Sequence, residues 1–245
     1  DPFLDAETNQ GIERAVAAIG VPVLVGAIVD DGPEHVLNQG IVWDPVTGPG
    51  ERYTKWHPVP YGEYIPFRQS LDVNFGELAR IRRDMRAGDR TEPLEVGPIR
   101  LADAICFDVA YDDGLHAQVR EGAELLTVQT SNATFTGTSQ LEQQFTISRA
   151  RAMETGRTVV VASTNGISGV IGPDGTVRDQ LAPRTTDIAV AQVPLIDAQT
   201  PAVRYGSLVR QVLSLAGVIA VITAIAAAAG CRLRLRRRGG WRARL

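Results

Sequence analysis

Leu101-Ala-Asp-Ala-Ile-Cys-Phe-Asp-Val109 is a short apolar run that contains Cys106, one of only two cysteines among 245 residues. Its length and its Leu, Ile and Val content predict a buried strand with Cys106 at the strand end. An Asp-Asp-Gly turn follows at 112–114, so the thiol is well placed to face a cleft. Free cysteines are usually buried as small apolar side chains, and this stretch alone favours that structural role.

A second stretch, Lys55-Trp-His-Pro-Val-Pro-Tyr-Gly-Glu63, favours a chemical role instead. Prolines at 58, 60 and 66 fix φ and lower the entropy cost of ordering the loop that carries Glu63. A lysine, a glutamate and a cysteine on rigid supports are the groups that build a thiolate nucleophile. An ammonium group lowers the pKa of a nearby thiol and stabilises an oxyanion, and a carboxylate orients that ammonium.

Taken in chain order, with 55–63 followed by 101–109, the two stretches resemble the apolipoprotein N-acyltransferases. These are the membrane-bound branch of the nitrilase (carbon-nitrogen hydrolase) superfamily. The resemblance covers nearly the whole chain, because further motifs match at 130–137, 144–157, 163–168 and 200–206. The chain departs from the family pattern at two positions. Asp108 stands where many members carry Glu, and Thr134 stands where many carry Trp.

The resemblance implies roles for seven side chains. Cys106 is the expected nucleophile, Lys55 the expected oxyanion stabiliser, and Glu63 the glutamate that supports them. The expected substrate-binding residues are Phe107, Asp108, Asn132 and Phe135. The general-base glutamate of the family lies in a Trp-Pro-Glu type motif that precedes the segment aligned with Asp1, and this sequence has no such motif. We therefore expect the base to lie upstream and the sequence as given to be catalytically incomplete.

The implied reaction is N-acylation of the α-amino group of the diacylglyceryl-cysteine of apolipoproteins. A phospholipid donates the acyl chain to Cys106 as a thioester, and the amine then takes it. We expect no cofactor. We also expect no metal, because the three histidines (35, 57 and 116) lack metal-ligand spacing and no CxxC or HExxH motif occurs. His57 and the turn Asn165-Gly166 are interpreted as structural.

Strands that alternate with helices predict an α/β architecture. The resemblance implies a nitrilase-like αββα sandwich over residues 1–206, incomplete at its N-terminus. Residues 21–29 form a near-continuous apolar run, which predicts a strand covered on both faces. Residues 43–50 are predicted as a turn, and the arginine-rich insertion 69–90 as a solvated face, or alternatively a mobile lid, with a short helix at 75–85. The remaining predicted helices are 10–20, 115–120 and 141–155, and the remaining strands are 36–42, 52–55, 93–106, 124–129, 158–162, 169–171 and 188–193.

Residues 212–230 contain no charge, and 19 helical residues span about 28 Å, close to the hydrocarbon thickness of a bilayer. We predict a transmembrane helix over 207–230. The tail 231–245 holds seven arginines and no acid, which leaves the rest of the chain at −10. The positive-inside rule places this tail in the cytoplasm and the catalytic domain outside a bacterial plasma (inner) membrane.

The sequence does not begin with Met and has no signal peptide, so we expect upstream membrane segments that export the domain. No nucleic-acid motif accompanies the arginines. The expected partners are therefore the phospholipid donor, the diacylglyceryl apolipoprotein acceptor and the membrane, with no nucleic acid.

Two other functions stay open from the sequence. A nitrilase-type amidase would use water where the transferase uses an amine, although a soluble amidase does not need the apolar terminal segment. A membrane-anchored scaffold that has lost catalysis is the second alternative. The retention of both Lys55 and Cys106 in their motifs counts against the scaffold.

Overall fold

The computed structural model describes residues 1–70, 76–182 and 185–239, with side chains up to residue 228 except that of Glu77. The chain begins with helix α1 (Ala6–Ile19). Asp5 caps its N-terminus by accepting hydrogen bonds from the amides of Glu7 and Thr8, and Gly20 ends it in the left-handed conformation. The predicted first helix is therefore confirmed and begins four residues earlier than expected.

The first sheet is an antiparallel meander of β1 (Val23–Asp30), β2 (His35–Asp44) and β3 (Gly48–Thr54). A short strand β4 (Asp84–Met85) adds in parallel to the start of β2. The prediction that residues 21–29 are covered on both faces is wrong. β1 is an edge strand here, and Ile28 on it is 42% exposed.

The turn predicted at 43–50 is also too long. Asp44 accepts hydrogen bonds from the amides of Val46 and Thr47, so three residues suffice to reverse the chain. Trp43 stays in β2 and is fully buried, and β3 already begins at Gly48.

The second sheet has six strands in the order β10-β9-β8-β7-β6-β5. The central strands β6 (Ile99–Ile105), β7 (Leu125–Thr130) and β8 (Val159–Ser163) are parallel. They are connected through α2 (Asp113–Arg120) and α3 (Gln140–Thr155). The flanking antiparallel strands are β5 (Leu94–Val96), β9 (Gly169–Ile171) and β10 (Val177–Gln180).

Three apolar clusters show that the layers stack as helix, sheet, sheet, helices. α1 packs on the first sheet through Val16, which contacts Ile41 and Trp43. α2 and α3 pack on the outer face of the second sheet, where Leu115 and Phe145 join the buried strand residues. The third cluster fills the space between the sheets and consists mainly of Val42, Tyr53, Leu94, Leu101, Ile105 and Leu125. The predicted αββα sandwich is confirmed.

Other predicted elements also differ from the structure. The single strand predicted over 93–106 is a hairpin of β5 and β6, and Gly97 between them has a φ of 60°. Residues 188–193 form no strand, and the side chains of Ile188 and Val190 are more than 80% exposed, so this apolar alternation does not face the core. Strand β10 was not predicted from the sequence, and it pairs with β9 after the turn at 173–175. The helix predicted at 75–85 is a 3-10 turn over Gly76–Arg80 followed by β4, and Phe75 lies outside the described residues.

The last helix, α4 (Pro201–Gly239), is far longer than the others. The chain divides into two compact units, Asp1–Val203 and a second unit that begins at Arg204. Within α4, Pro201–Ala228 has a mean hydropathy of 2.2 over its most apolar window, and none of that window is buried. By length and composition α4 can cross a bilayer.

Candidate active site

Cys106 occupies a sharp turn at the end of a central strand. β6 ends at Ile105, and Cys106 begins the 3-10 turn Cys106–Ala110 with φ at 58°. A non-glycine residue in this left-handed region costs about 1 kcal/mol or more, and such strain collects at functional sites. The strand end was predicted from the sequence, whereas the left-handed backbone carries no sequence signal.

Lys55 and Glu63 form a nearly buried ion pair. β3 ends at Thr54, and the Lys55 side chain that follows is only 1% exposed. Its ammonium donates to both Glu63 carboxylate oxygens at 2.7 Å, and the amide of Val59 also donates to Glu63 at 2.7 Å. Because a buried ammonium is costly without a partner, the ion pair with Glu63 offsets the burial of Lys55.

Backbone and side-chain contacts with the arginine-rich insertion hold the Glu63 loop. The amide of Met85 donates to the Glu63 carbonyl at 2.9 Å, and the amide of Ile65 donates to the Asp84 carboxylate at 2.9 Å. Arg68 binds the same carboxylate through two nitrogens at 2.6 and 2.7 Å. This guanidinium holds the pKa of Asp84 below its ordinary value. The ion pair between Arg68 and Asp84 therefore supports the Glu63 loop, so the described part of the insertion is not only a solvated face.

Asp108 ties the turn of the nucleophile to the residues that follow Lys55. Asp108 is only 4% exposed, and its carboxylate accepts hydrogen bonds from the Tyr53 hydroxyl and from the amides of Trp56 and His57. Burial, reinforced by the Asp108 charge, raises the pKa of Tyr53 well above 10, so the phenol is a donor. Asp108 was predicted to bind substrate, but its oxygens are satisfied inside the fold and it does not line the cavity described below.

Asn132 lies beside the nucleophile. It is 3% exposed, and its carboxamide oxygen accepts a hydrogen bond from the Thr130 hydroxyl at 2.9 Å and lies 3.9 Å from the Cys106 sulfur. A Cβ at Gly166 would come within 2.8 Å of the Asn132 amide nitrogen and 2.5 Å of the Ser163 hydroxyl. The turn that contains Gly166 thus allows the backbone to approach Asn132 closely, which agrees with its interpretation as structural.

The two phenylalanines predicted to bind substrate lie on the surface. Phe107 is 44% exposed and Phe135 is 39% exposed, and neither lines the cavity. The ring of Phe107 meets Tyr111 edge-on at 6.2 Å, and Tyr111 stacks on His57 at 4.0 Å. His57 also contacts the Asp113 carboxylate at 2.8 Å. These contacts give His57 a structural role.

A cavity of about 670 Å³ opens beside Cys106, mainly between the two sheets. Its apolar lining residues include Ala27, Ile28, Val160, Val170, Leu181 and Ala189. Its polar lining residues include Asn38, Glu63, Gln129, Ser131, Ser163 and Thr164. Cys106 and Glu63 therefore line one shared, partly open cavity. Such a space can hold an extended apolar chain next to a polar reacting group.

One cluster among the described residues has ligand atoms at metal-like separations. Asp112, His116 and Glu154 each place one such atom within 4.8 Å of the others. Glu154, however, is already paired with Arg151, and His116 lies 3.2 Å from it. A guanidinium group in contact with the same carboxylate opposes a second cation, so we interpret this cluster as an ion network between α2 and α3.

Sequence reasoning missed three residues that position the site. Tyr53, Arg68 and Asp84 act only through contacts between segments distant in sequence, such as the hydrogen bond of Tyr53 to Asp108. A partial signal was the place of Tyr53, two residues before Lys55 on the same face of the strand end.

Sequence comparison identifies the family. The profile of the carbon-nitrogen hydrolases matches residues 2–201. The chain belongs to the carbon-nitrogen hydrolase family. Cys106, Lys55 and Glu63 all fall inside the matched region of this carbon-nitrogen hydrolase, as does every strand of its two sheets.

Two curated relatives carry the name apolipoprotein N-acyltransferase. The protein of Mycolicibacterium smegmatis is 36% identical over 233 residues, which are 92% of this chain and 38% of the relative. That of Ralstonia nicotianae is 32% identical over 224 residues, or 90% and 42%. This carbon-nitrogen hydrolase thus spans about two fifths of the length of these relatives.

Solved structures share the fold of this carbon-nitrogen hydrolase. A carbon-nitrogen hydrolase from Helicobacter pylori G27 superposes with a TM-score of 0.56 at 17% identity, covering 72% of this chain and 63% of that one. A mutant of the amidase from Nesterenkonia sp. AN1, with acrylamide added at its active-site cysteine, gives 0.51 at 23% identity, covering 72% and 66%.

Proposed function

We propose that this chain carries the acyl-transfer site of an apolipoprotein N-acyltransferase. The observation that carries the proposal is that Cys106, in a left-handed turn, shares one cavity with the Glu63 carboxylate that holds Lys55. The named relatives, matched over nine tenths of the chain, support the choice of reaction.

In the first step the Cys106 thiolate attacks the ester carbonyl carbon of a phospholipid acyl chain. The ester C–O bond breaks, lysophospholipid leaves with a proton, and a thioester remains on Cys106. The Lys55 ammonium is the group we assign to the oxyanion that forms on the carbonyl oxygen. The apolar lining residues of the cavity suit the acyl chain. Asn132 does not line the cavity itself, and it is proposed to shape the site through its contact with the sulfur.

In the second step the free α-amine of a diacylglyceryl-cysteine attacks the thioester carbon. The C–S bond breaks, an amide forms, and the thiolate is regenerated. Both steps need a proton acceptor. Glu63 is engaged by Lys55 and by the Val59 amide. We therefore propose that the general base is a further glutamate, one that the described residues do not place next to Cys106.

The apolar part of α4 is proposed to anchor the protein in a bacterial plasma membrane, with the arginine-rich tail 231–245 in the cytoplasm and the catalytic unit outside. Phe107 lies exposed in the 3-10 turn that begins at Cys106, and Phe135 lies exposed in the 3-10 turn that follows Asn132. Both are proposed to contact the lipid portions of the substrates as they arrive from the bilayer.

The test is a mass spectrum of the full-length gene product after incubation with phospholipid vesicles. We expect the mass of one acyl chain on Cys106 and none on a Cys106→Ala variant. Addition of a diacylglyceryl lipopeptide with a free amine should remove the adduct and yield the N-acylated peptide. Release of free fatty acid instead would favour an amidase-like hydrolase, and no adduct at all would favour a scaffold.

A further inference from the structure

A carboxyl group lies between the two sheets, and none of the steps above uses it. Asp103 on β6 is fully buried, and its oxygens accept hydrogen bonds from the Thr127 hydroxyl at 2.7 Å and the Gln129 carboxamide nitrogen at 2.8 Å. Burial raises the pKa of Asp103 to about 7. An ionisable group in this position costs stability compared with an apolar one, and such groups concentrate at functional sites.

The first sheet has room for the side chains of Asp103 and Gln129. Gly26 and Gly40 are direct cross-strand partners on β1 and β2. A Cβ at Gly40 would collide with the Asp103 carboxylate and lie 2.6 Å from the Gln129 nitrogen, and a Cβ at Gly26 would lie 2.8 Å from the Gln129 oxygen. Two facing glycines therefore make a notch that Asp103 and Gln129 occupy.

The contact with Asp103 determines which atom Gln129 offers to the cavity. The carboxamide nitrogen is committed to Asp103, and no described residue donates a hydrogen bond to the carboxamide oxygen. Gln129 lines the cavity that contains Cys106, and its register partner on β6 is Ile105, the residue before the nucleophile. Adjacent strands lie about 4.8 Å apart, so the backbone of Gln129 lies one strand spacing from the residue that precedes the nucleophile.

The charge of the cavity indicates which ligand group suits this acceptor. The charged residues among its described lining are Glu63, whose carboxylate is paired with the Lys55 ammonium, and Asp187. Because none of the described lining residues is a cation that could bind an anionic phosphate, the free acceptor suits an N–H donor such as an amine.

We infer that Gln129, held by Asp103, binds the amino group of the acyl acceptor. The inference rests on the proposed function and names the contact that places the nucleophilic nitrogen. The Gln129 oxygen accepts one N–H of the primary amine, while the nitrogen lone pair attacks the thioester carbon on Cys106. The C–S bond breaks, and the amine proton passes to the base of the proposed function. Asp103 is a positioning residue, because it acts only through Gln129.

The two half-reactions of the full-length gene product test this assignment separately. In Gln129→Met, which keeps the side-chain length but loses the acceptor, we expect acyl-adduct formation from phospholipid vesicles to be unchanged. The KM for a diacylglyceryl lipopeptide amine should rise about tenfold, as expected for one lost hydrogen bond. Asp103→Leu removes the acceptor that holds the Gln129 nitrogen and should raise the same KM with a normal adduct. Asp103→Asn keeps an acceptor oxygen and should stay within about threefold of the unsubstituted protein.

The control is Gln143→Met, which removes an exposed glutamine of α3 outside the cavity and should change neither half-reaction. Equal losses in both half-reactions of Gln129→Met, or an unchanged KM, would overturn the assignment. A normal adduct in the unsubstituted protein keeps this result separate from the proposed function, since failure of that function would appear as no adduct at all.

Discussion

At the scale of single residues, the Lys55–Glu63 pair illustrates how chemistry and stability are coupled. Replacing Glu63 by Gln leaves the Lys55 ammonium, only 1% exposed, without its carboxylate. We expect a loss of about 3 kcal/mol in the free energy of unfolding, because a buried ammonium without a partner destabilises the fold more than an uncharged side chain in the same place. Urea unfolding measures this loss. The double variant Lys55→Met with Glu63→Gln should recover most of it, and a double variant as unstable as the single one would contradict this account.

Asp103 gives a second prediction at this scale. Its pKa of about 7 exceeds its ordinary 3.8, so between these values the folded state holds a proton that the unfolded chain releases. Its contribution to stability therefore falls as pH rises through this interval, by at most about 1.4 kcal/mol per pH unit. The Asp103→Asn variant lacks this dependence. Thermal unfolding should show that the stability of the variant relative to the unsubstituted protein is higher at about pH 7 than at about pH 5. The same stability difference at both pH values would count against a raised pKa.

At the scale of elements, β4 holds the Glu63 loop through Asp84 and Arg68. The guanidinium lowers the pKa of Asp84 below 3.8, so this stabilisation is present above that value and is lost as pH falls below it. Asp84→Asn should be less stable by about 1–2 kcal/mol at neutral pH, and the difference should shrink below about pH 4. Chemical unfolding across this range is the measurement.

A matched control for that variant is Asp174→Asn, which breaks a surface ion pair with Arg178. Asp84→Asn should also slow adduct formation on Cys106, because the Ile65 amide loses its anionic acceptor. Asp174→Asn should not slow it. If the two variants formed adduct at the same rate, β4 would have no part in placing Glu63.

Elements whose signals are local could be predicted from the sequence. The strand end before Cys106 and the long helix before Gly156 were found close to their positions, because apolar periodicity and a terminating glycine lie within the segments themselves. The single strand predicted over 93–106 was wrong in its first part, where the chain reverses at Gly97 between β5 and β6. The resemblance supplied the αββα arrangement. The strand expected at 188–193 failed because apolar alternation there faces solvent, and burial depends on what packs against a segment.

Parts of the candidate site could be predicted from local sequence, and other parts depend on contacts between distant segments. Cys106, Lys55 and Glu63 stand in motifs that can be recognised locally. The left-handed backbone of Cys106 and the inward-facing Asp108 depend on partners far along the chain, such as Tyr53, 55 residues away. The glycine notch that receives Asp103 and Gln129 arises only when two sheets meet, so single-sequence patterns carry no signal for it.

At the scale of the whole molecule, the proposed membrane orientation separates the two cysteines. Cys106 belongs to the first compact unit, and Cys231 follows the apolar part of α4 at the start of the arginine-rich tail. The positive-inside rule places that tail in the cytoplasm.

A membrane-impermeant maleimide applied to cells whose outer envelope has been made permeable should therefore label Cys106 and spare Cys231. Lysis should expose both thiols, and Cys106→Ser and Cys231→Ser variants assign each label. Labelling of Cys231 with Cys106 protected before lysis would reverse the orientation, and it would remove access to a lipoprotein substrate on the outer side.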